Sequence, residues 1–190
     1  MAQDRRQRRD AAANRERILT AAGEAFRRAG MAVDMRAVAT AAGVGVGTLY
    51  RHFPTREHLV HAVTGADLAA LARVALPAGA TSIDALRTYF TAMLTALAGN
   101  RAMVDVLAAG PPTGADLERC RAHLTAIGRD AVERSRTDGA LAPDVTAEDV
   151  AHQFLGLVRI VQLLPDPGPV PVAHQVDLAL RALAAPGPWS

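Results

Sequence analysis

The apolar residues of this chain recur at intervals of three and four positions, the spacing of one face of an α-helix. Two such stripes near the N-terminus each end at a glycine: Ile18, Leu19, Ala22, Phe26 and Ala29 before Gly30, then Met35, Val38, Ala39 and Ala42 before Gly43. A third segment, about 46–53, ends at Pro54, because the residue before a proline is pushed out of helical geometry. The pattern predicts three consecutive helices.

The same period continues through the rest of the chain. Further helices are predicted from a cap at Thr55 to about Leu76, over 83–97, 101–108 and about 117–137, from a cap at Thr146 to about Leu164, and over 172–183. No segment alternates apolar and polar residues as a strand does. We therefore predict an all-α fold with an N-terminal three-helix head and a larger C-terminal helical domain.

The stretch GVGVGTLYRHF, Gly43 to Phe53, has two possible interpretations. A dinucleotide-binding loop needs G-x-G-x-x-G after a strand, and Gly43, Gly45 and Gly47 have neither that spacing nor a strand before them. A Walker loop needs a lysine, and the chain contains none. A turn between two helices fits better, because Asp34 can cap the first helix and Gly43 can take the left-handed conformation that ends it.

This arrangement is a helix-turn-helix, whose second helix enters the major groove of DNA while the first crosses the backbone. The run AVATAAGVGVGTLYRHFPTREHLVHAV, within residues 15–63, resembles the DNA-binding domain of the tetracycline-repressor (TetR) family of bacterial regulators. TLYRHF followed by Pro-Thr-Arg-Glu is highly specific for that family. The resemblance covers about the first third of the chain, and the remainder matches only in being helical and apolar.

The resemblance implies a DNA-contact surface. The residues at family positions that contact base edges or phosphates are Arg36, Val46, Gly47, Thr48, Tyr50, His52 and Arg56. Gly45 and Val46 depart from the family pattern, because many relatives have a capping hydroxyl and a lysine there; Val46 can instead contact a thymine methyl group. The alternatives are that Tyr50 packs on the surface, that Thr48 is an ordinary helix residue and that Arg36 is merely solvated.

Positive charge is concentrated in the predicted head. The chain carries 21 arginines and 19 acidic residues, a net charge of +2, and residues 1–60 alone have 11 arginines against six acidic residues, a net +5. Arginines displace counterions from phosphates, so this asymmetry favours DNA as the partner. The predicted domains are a flexible basic arm at 1–12, a helix-turn-helix domain at 13–55, a helical domain at 56–185 and a tail at 186–190. A purely solubilising arm is the alternative.

The last two predicted helices leave few polar positions, so they must be covered on more than one side. In the family that the head resembles, two such helices pair with their copies in a second subunit, and a head this small binds DNA as two copies. The predicted homodimer interface is Phe154, Leu157, Val158, Val161, Val176 and Leu180. A core within one chain would explain the same apolarity.

The middle helices are mainly apolar, with methionines that adapt to varied shapes and few polar side chains. They predict a pocket for a small hydrophobic or aromatic effector, oriented by one or two hydrogen bonds. Its predicted lining is Tyr89, Phe90, Met93, Leu97, Met103, His123, Leu124 and Ile127. The alternative is a filled core without a cavity.

Enzyme chemistry finds little support in the sequence. The three serines lie outside any G-x-S-x-G motif, so no hydrolase nucleophile is indicated. Cys120 lies on an apolar stripe typical of core packing. His58 and His61 lack a third metal ligand at familiar spacing. One cysteine cannot form an internal disulfide. We predict no catalytic residue, cofactor or metal. The lack of an apolar span of membrane length predicts no membrane association and a cytoplasmic location.

Together these features predict a homodimeric, sequence-specific regulator of transcription. We expect a repressor that is released from a double-stranded DNA operator by a small hydrophobic or aromatic effector. The alternatives are a constitutive DNA-binding protein without an effector and a small helical enzyme.

Overall fold

The computed structural model describes residues 2–108, 115–164 and 168–186, and confirms the all-α prediction over these ranges. The helices are α1 (Ala2–Ala29), α2 (Met35–Ala41), α3 (Val46–His52), α4 (Arg56–Leu71), α5 (Ser82–Ala98), α6 (Arg101–Ala108), α7 (Ala115–Asp138), α8 (Ala147–Leu163) and α9 (Pro169–Arg181). Residues 187–190 of the predicted tail lie outside the described residues. Within the described ranges the sole β-pairing is an isolated bridge between Leu141 and Ala184.

The chain divides into two compact units, which we call the head and the body. The head is Met1–Ala66 with Asn100–Met103, and the body is Asp67–Gly99 with Val104–Ser190. The division falls within α4, whereas the sequence predicted a boundary at 55–56, where Pro54 interrupts the helical pattern. The first part of α4 belongs to the head because Leu59 and Val60 are buried.

The turn between α2 and α3 forms as the sequence predicted. The Asp34 carboxylate caps α2 by accepting a backbone hydrogen bond of 3.0 Å from its first turn. Gly43 has a φ of +64°, and its N–H donates to the Thr40 carbonyl while the Val44 N–H donates to the Ala39 carbonyl. This pair of bonds is the Schellman arrangement, in which a left-handed glycine ends a helix.

The head core holds α3 in place through a few large side chains. Ile18 and Phe26 of α1, Val38 of α2, Leu49 of α3 and Leu59 of α4 are all fully buried. Burying a side chain of this size stabilises a fold by about 1.5–3 kcal/mol relative to exposure. Because Leu49 anchors one side of α3 in this core, the opposite side faces outward.

The body is built around α5, α7, α8 and α9. Phe90 of α5 and Phe154 of α8 meet edge to face, with ring centroids 5.1 Å apart. Thr146 and Asp149 form a reciprocal capping box at the start of α8. The Asp138 carboxylate, at the end of α7, accepts hydrogen bonds from the backbone N–H and the hydroxyl of buried Ser82 at the start of α5. These contacts fix the helix ends that surround the body core.

Candidate DNA-binding surface and body cavity

The outward face of α3 is the candidate DNA-binding surface. Leu49 is fully buried, whereas Gly47 and Tyr50 are exposed and Val46 and Thr48 are partly exposed. Position 50 follows positions 46 and 47 by four and three residues, so Tyr50 lies on the same side of the helix as both. The side of α3 that the resemblance assigned to the major groove is therefore accessible to a partner.

The start of α3 has open space around it. A Cβ added at Gly45 or Gly47 would meet no atom within 4 Å. Gly45 is the N-cap residue and provides no side-chain hydrogen bond to α3, so this end of the helix lacks the cap that a serine or threonine would supply. A partner surface can thus approach the backbone of α3 closely at Gly47.

Arg36 and His52, two further predicted contact residues, lie on different helices of the motif. Arg36 is exposed in the first turn of α2, and His52 is partly exposed in the last turn of α3. The His52 ring centroid lies 6.5 Å from that of Phe53, which is buried in the head. Both predicted contact residues therefore lie on helices of the motif and reach solvent.

Arg56 has a contact that the sequence did not reveal. Its Nη1 atom donates a hydrogen bond to the Met31 carbonyl, in the 3-10 turn Gly30–Ala32 that follows α1. The side chain of Arg56 is only partly exposed. This bond ties the start of α4 to the end of α1, so Arg56 holds the head together through the group that the resemblance assigned to DNA.

Two further arginines brace the motif and were not singled out by the sequence analysis. The Arg15 guanidinium lies over the Phe53 ring, 5.5 Å from its centroid, a cation–π contact. Arg17 donates to Asn14 Oδ1 at 2.5 Å, and its Nη1 lies 3.5 Å from the Cβ position of Gly43. Positive charge from α1 is thus placed beside the end of α2 and the end of α3.

The basic arm, predicted to be flexible, is helical in the structure from Ala2 onward. Residues from Ala2 onward continue α1 as one helix of 28 residues. The side chains of residues 5–13 are all exposed, including those of Arg5, Arg6, Arg8 and Arg9. The sequence missed this helix because propensity alone rarely stabilises a short helix that buries no apolar face.

The body contains a small apolar cavity. Its volume is about 20 Å³, enough for about one water molecule. The residues that line it are Leu71, Ala72, Tyr89, Met93, Leu97, Leu107, Cys120, His123, Leu124 and Phe154. Five of these were predicted from the sequence, namely Tyr89, Met93, Leu97, His123 and Leu124, whereas Phe90, Met103 and Ile127 are buried without lining it.

Two of the polar groups at the cavity have partners in the chain. His123 Nε2 lies 2.8 Å from the Val74 carbonyl oxygen. Because a carbonyl oxygen can only accept a hydrogen bond, Nε2 must carry the proton in this contact. In a neutral ring, Nδ1 is then an acceptor. The Cys120 thiol donates to the Leu68 carbonyl at 3.3 Å, and burial raises its pKa. Both groups are held in fixed orientations by backbone carbonyls.

The third polar group, the Tyr89 hydroxyl, lacks such a partner. Tyr89 is only 3% exposed, and its hydroxyl makes no hydrogen bond to any residue that the structure describes. Burial, with a smaller contribution from Cys120, raises the pKa of Tyr89 to about 12. Among the described residues, no arginine, aspartate or glutamate lines the cavity. Its wall is therefore apolar and uncharged apart from the imidazole.

A wider groove lies where the α7–α8 loop meets the end of α9. Its volume is about 460 Å³, and its lining is Val132, Ser135, Arg136, Gly139, Leu141, Ala142, Pro143, Val145 and Ala185. The helical periodicity gave no signal for it, because loop residues form most of its wall. None of the residues predicted for the effector pocket lies there.

The residues predicted for the dimer interface lie inside a single protomer. Phe154, Leu157, Val158, Val161, Val176 and Leu180 are all buried in the absence of any second chain. The same helices instead expose other apolar side chains: Ile160 and Leu163 of α8, and Val170 and Leu178 of α9. Leu163 is 74% and Val170 79% exposed. Any apolar surface that these helices offer to a partner is made of this second set.

Comparisons with known proteins agree with this geometry. Residues 18–63 match the model for "Bacterial regulatory proteins, tetR family". The HTH-type transcriptional regulator UidR of Escherichia coli (strain K12) is 28% identical over 155 residues, which are 78% of this chain and 79% of UidR. The HTH-type transcriptional repressor KstR of Mycobacterium tuberculosis is 48% identical over 54 residues, 28% of this chain and 24% of KstR.

The likeness extends to a solved structure over nearly the whole chain. A bacterial regulatory protein in the tetR family from Rhodococcus RHA1 superposes with a TM-score of 0.65 at 25% identity, over 92% of this chain and 98% of that one. The match of the helix-turn-helix to the family model, together with these relatives, supports a DNA-binding transcriptional regulator of the tetR family.

No helix in the part of the chain that the structure describes is both long enough and apolar enough to cross a bilayer.

Proposed function

We propose that this chain is a homodimeric repressor, acting in the cytoplasm, that leaves its operator when a small hydrophobic or aromatic effector enters the body. The observation that carries the DNA-binding half is the outward face of α3, with exposed Gly47 and Tyr50 opposite buried Leu49. The match to the tetR family model, and the name of KstR as a repressor, support the direction of regulation.

The DNA contacts follow from the exposure of each side chain. Val46, Gly47, Thr48 and Tyr50 would face the major groove, where Val46 can contact a thymine methyl group and Tyr50 a base edge or phosphate. Arg36 and His52 would contact phosphates on either side. Arg56 would affect DNA binding indirectly, because its bond to the Met31 carbonyl ties the start of α4 to the end of α1.

The helix α4 supports a route from effector to DNA. It begins at Arg56, which is bonded to the Met31 carbonyl within the head, and ends at Leu71, which lines the body cavity. A ligand that displaced Leu71 would shift the end of a helix whose other end is fixed in the head. In a dimer, such a shift changes the distance between the two copies of α3, which must match successive turns of the major groove.

The cavity must enlarge to accept such a ligand. Its volume is about 20 Å³, whereas sites for drug-sized molecules measure roughly 300–1,000 Å³. Met93 has a flexible thioether that can adopt another rotamer, and Leu71 is the last residue of α4. We infer that effector binding selects a more open state of the body.

We assign the dimer surface to the exposed apolar side chains of α8 and α9. Ile160 and Leu163 are three residues apart on α8 and are therefore neighbours on the helix surface. Val170 and Leu178 are exposed on α9. Large apolar side chains that remain exposed on neighbouring helices are typical of an interface when they form one patch. A dimer through these helices places two heads on one operator.

A second candidate function is a regulator that binds DNA without any effector. The small volume of the cavity favours it, because a filled core needs no ligand. The two candidates differ in one measurable property, the response of the operator complex to small molecules.

The test has two stages. Operator sequences are first selected from a random DNA pool with the full-length protein, and the complex is then titrated with a panel of neutral aromatic compounds. We expect one or more compounds to release the DNA and to raise the melting temperature of the free protein. Selection without sequence enrichment would contradict the DNA-binding half, and a panel without any release would favour the constitutive alternative.

Matched variants locate the effector site. Met93→Trp fills the cavity and should abolish release while DNA binding persists. Ala142→Trp adds the same side chain to the wider groove at the α7–α8 loop and should leave release unchanged. The opposite pattern would move the effector site to that groove.

A further inference from the structure

The Tyr89 hydroxyl is a polar group in largely apolar surroundings. It belongs to a side chain that is only 3% exposed, it borders an apolar cavity, and it has no hydrogen-bond partner among the described residues. The hydroxyl oxygen is not sealed off, because no fully buried side-chain oxygen or nitrogen of the described residues lacks a hydrogen-bond partner. A phenylalanine would fill almost the same space, so the hydroxyl adds little to the packing and is available to a molecule in the cavity.

Few other protein groups at the cavity are free to bind the Tyr89 hydroxyl. The Cys120 thiol already donates to the Leu68 carbonyl, and the Nε2 proton of His123 is engaged by the Val74 carbonyl. Of the three polar groups at the cavity, the Tyr89 hydroxyl is thus the one without a partner among the described residues.

The other lining residues restrict the chemistry of a ligand. Aromatic rings of Tyr89, His123 and Phe154 pack together, with the Tyr89 centroid 6.5 Å from His123 and 6.2 Å from Phe154. The described lining has no arginine, aspartate or glutamate to compensate a charged ligand, and burying an unpaired charge is very costly. The site therefore suits a neutral molecule with a flat apolar body.

We propose that the effector is a neutral aromatic compound bearing one hydroxyl or carbonyl group, and that the Tyr89 hydroxyl is its polar anchor. This inference rests on the proposed function of the cavity. The anchor works with either group, because a hydroxyl both donates and accepts. The Tyr89 hydroxyl stays protonated at neutral pH, so it can donate to a ligand carbonyl throughout the physiological range.

The test compares two ligands that differ by one hydroxyl group, 4-ethylphenol and ethylbenzene. For each, the midpoint of DNA release and of thermal stabilisation is measured with the wild-type protein and with Tyr89→Phe. The midpoint ratio between the two ligands is then compared between the two proteins. This comparison cancels the different affinities of the two compounds for water.

We expect Tyr89→Phe to shift this ratio by roughly 3- to 10-fold against the phenol, the effect of one neutral hydrogen bond. Thr88→Ala, a change at an exposed neighbour on α5, should keep the wild-type ratio. If both compounds bind and the ratio is the same in wild type and Tyr89→Phe, the anchor is overturned while the effector function stands. If neither compound acts while another aromatic compound of the panel releases DNA, the inference is overturned and the effector function stands. If no compound of the panel acts, the effector function is overturned as well.

Discussion

Gly128 of α7 lies directly against the backbone of Ala147, the first residue of α8. A Cβ added at Gly128 would stand 2.3 Å from the Ala147 carbonyl oxygen, closer than real side-chain atoms approach. Since the obstacle is backbone rather than a mobile side chain, relief would require α7 and α8 to separate. This pair therefore sets the distance between two helices that build most of the body core.

The first prediction concerns this contact. Gly128→Ala should lower the free energy of unfolding by about 1–3 kcal/mol, the usual cost of forcing an extra group into a packed site. Denaturant unfolding measures the change. Gly47→Ala is the matched control, because the same methyl group enters open space on α3 and should leave stability unchanged or slightly raised. Equal stability of both variants would show that α7 and α8 separate easily.

The second prediction concerns α3. Gly47→Glu should abolish operator binding, because a carboxylate on the outward face would meet the phosphates and base edges of the groove. Folding should be unaffected, since the site is open. Ala70→Glu places the same charge on an exposed site of α4 and should bind DNA normally. Gel-shift titration measures both, and normal binding by Gly47→Glu would move the DNA surface away from α3.

The third prediction concerns the basic extension of α1. Deleting residues 1–10 removes four exposed arginines, so operator affinity should fall. The dependence of log K on log salt should become shallower by roughly 0.9 for each phosphate that the extension neutralises. The body and the rest of the head should melt as before. An unaltered salt slope would assign the extension a role other than DNA contact.

The fourth prediction separates the dimer surface from the protomer core. Leu163→Arg should give folded monomers in sedimentation, because Leu163 is exposed within the protomer. Phe154→Arg should instead unfold the body, because Phe154 is buried against Phe90 and a charge there has no partner. A Leu163→Arg protein that remains dimeric would place the interface on another surface.

The fifth prediction is a pH dependence at the joint between α5 and α7. Burial acts to raise the pKa of Asp138, but hydrogen bonds from the Ala140 N–H and from the N–H and hydroxyl of Ser82 outweigh it and lower the pKa below its usual value of 3.8. The folded state thus favours the carboxylate, so this stabilisation is present above pH 3.8 and is lost as the pH falls through the lower folded value.

The comparison with Asp138→Asn tests this sign. The difference in unfolding free energy between wild type and Asp138→Asn should be largest near neutral pH and should shrink below about pH 4, where the wild-type carboxyl becomes protonated. Asp144→Asn makes the same change of side chain at an exposed loop position and is the matched control. A difference that grew towards acid pH would contradict the assignment.

The helix-turn-helix could be predicted because its signals are local. Asp34 caps a helix from one residue away, Gly43 ends it by its own backbone conformation, and Pro54 restricts its immediate neighbour. The contact of Arg56 with Met31 joins residues 25 positions apart. No pattern within one helix reports such a bond, so the sequence assigned the Arg56 guanidinium to DNA.

The body was predicted less completely for a related reason. Helical periodicity identifies which side chains are buried, but it does not identify what buries them. Phe154 and Leu180 are covered by their own chain, although their stripe would look the same at a subunit interface. In the same way, Phe90 and Met93 share one apolar stripe of α5, and only packing decides that Met93 borders a cavity while Phe90 does not.

Cys120 allows the local opening of the body to be measured in the unmodified protein. It is the sole cysteine of the sequence, it lines the cavity, and its thiol is buried and bonded to the Leu68 carbonyl. A thiol reagent can modify it only during transient openings. When reclosing is fast, the modification rate equals the intrinsic thiol rate multiplied by the equilibrium constant for opening. A mass-spectrometric time course on the unmodified chain thus yields a local opening free energy, without any attached label.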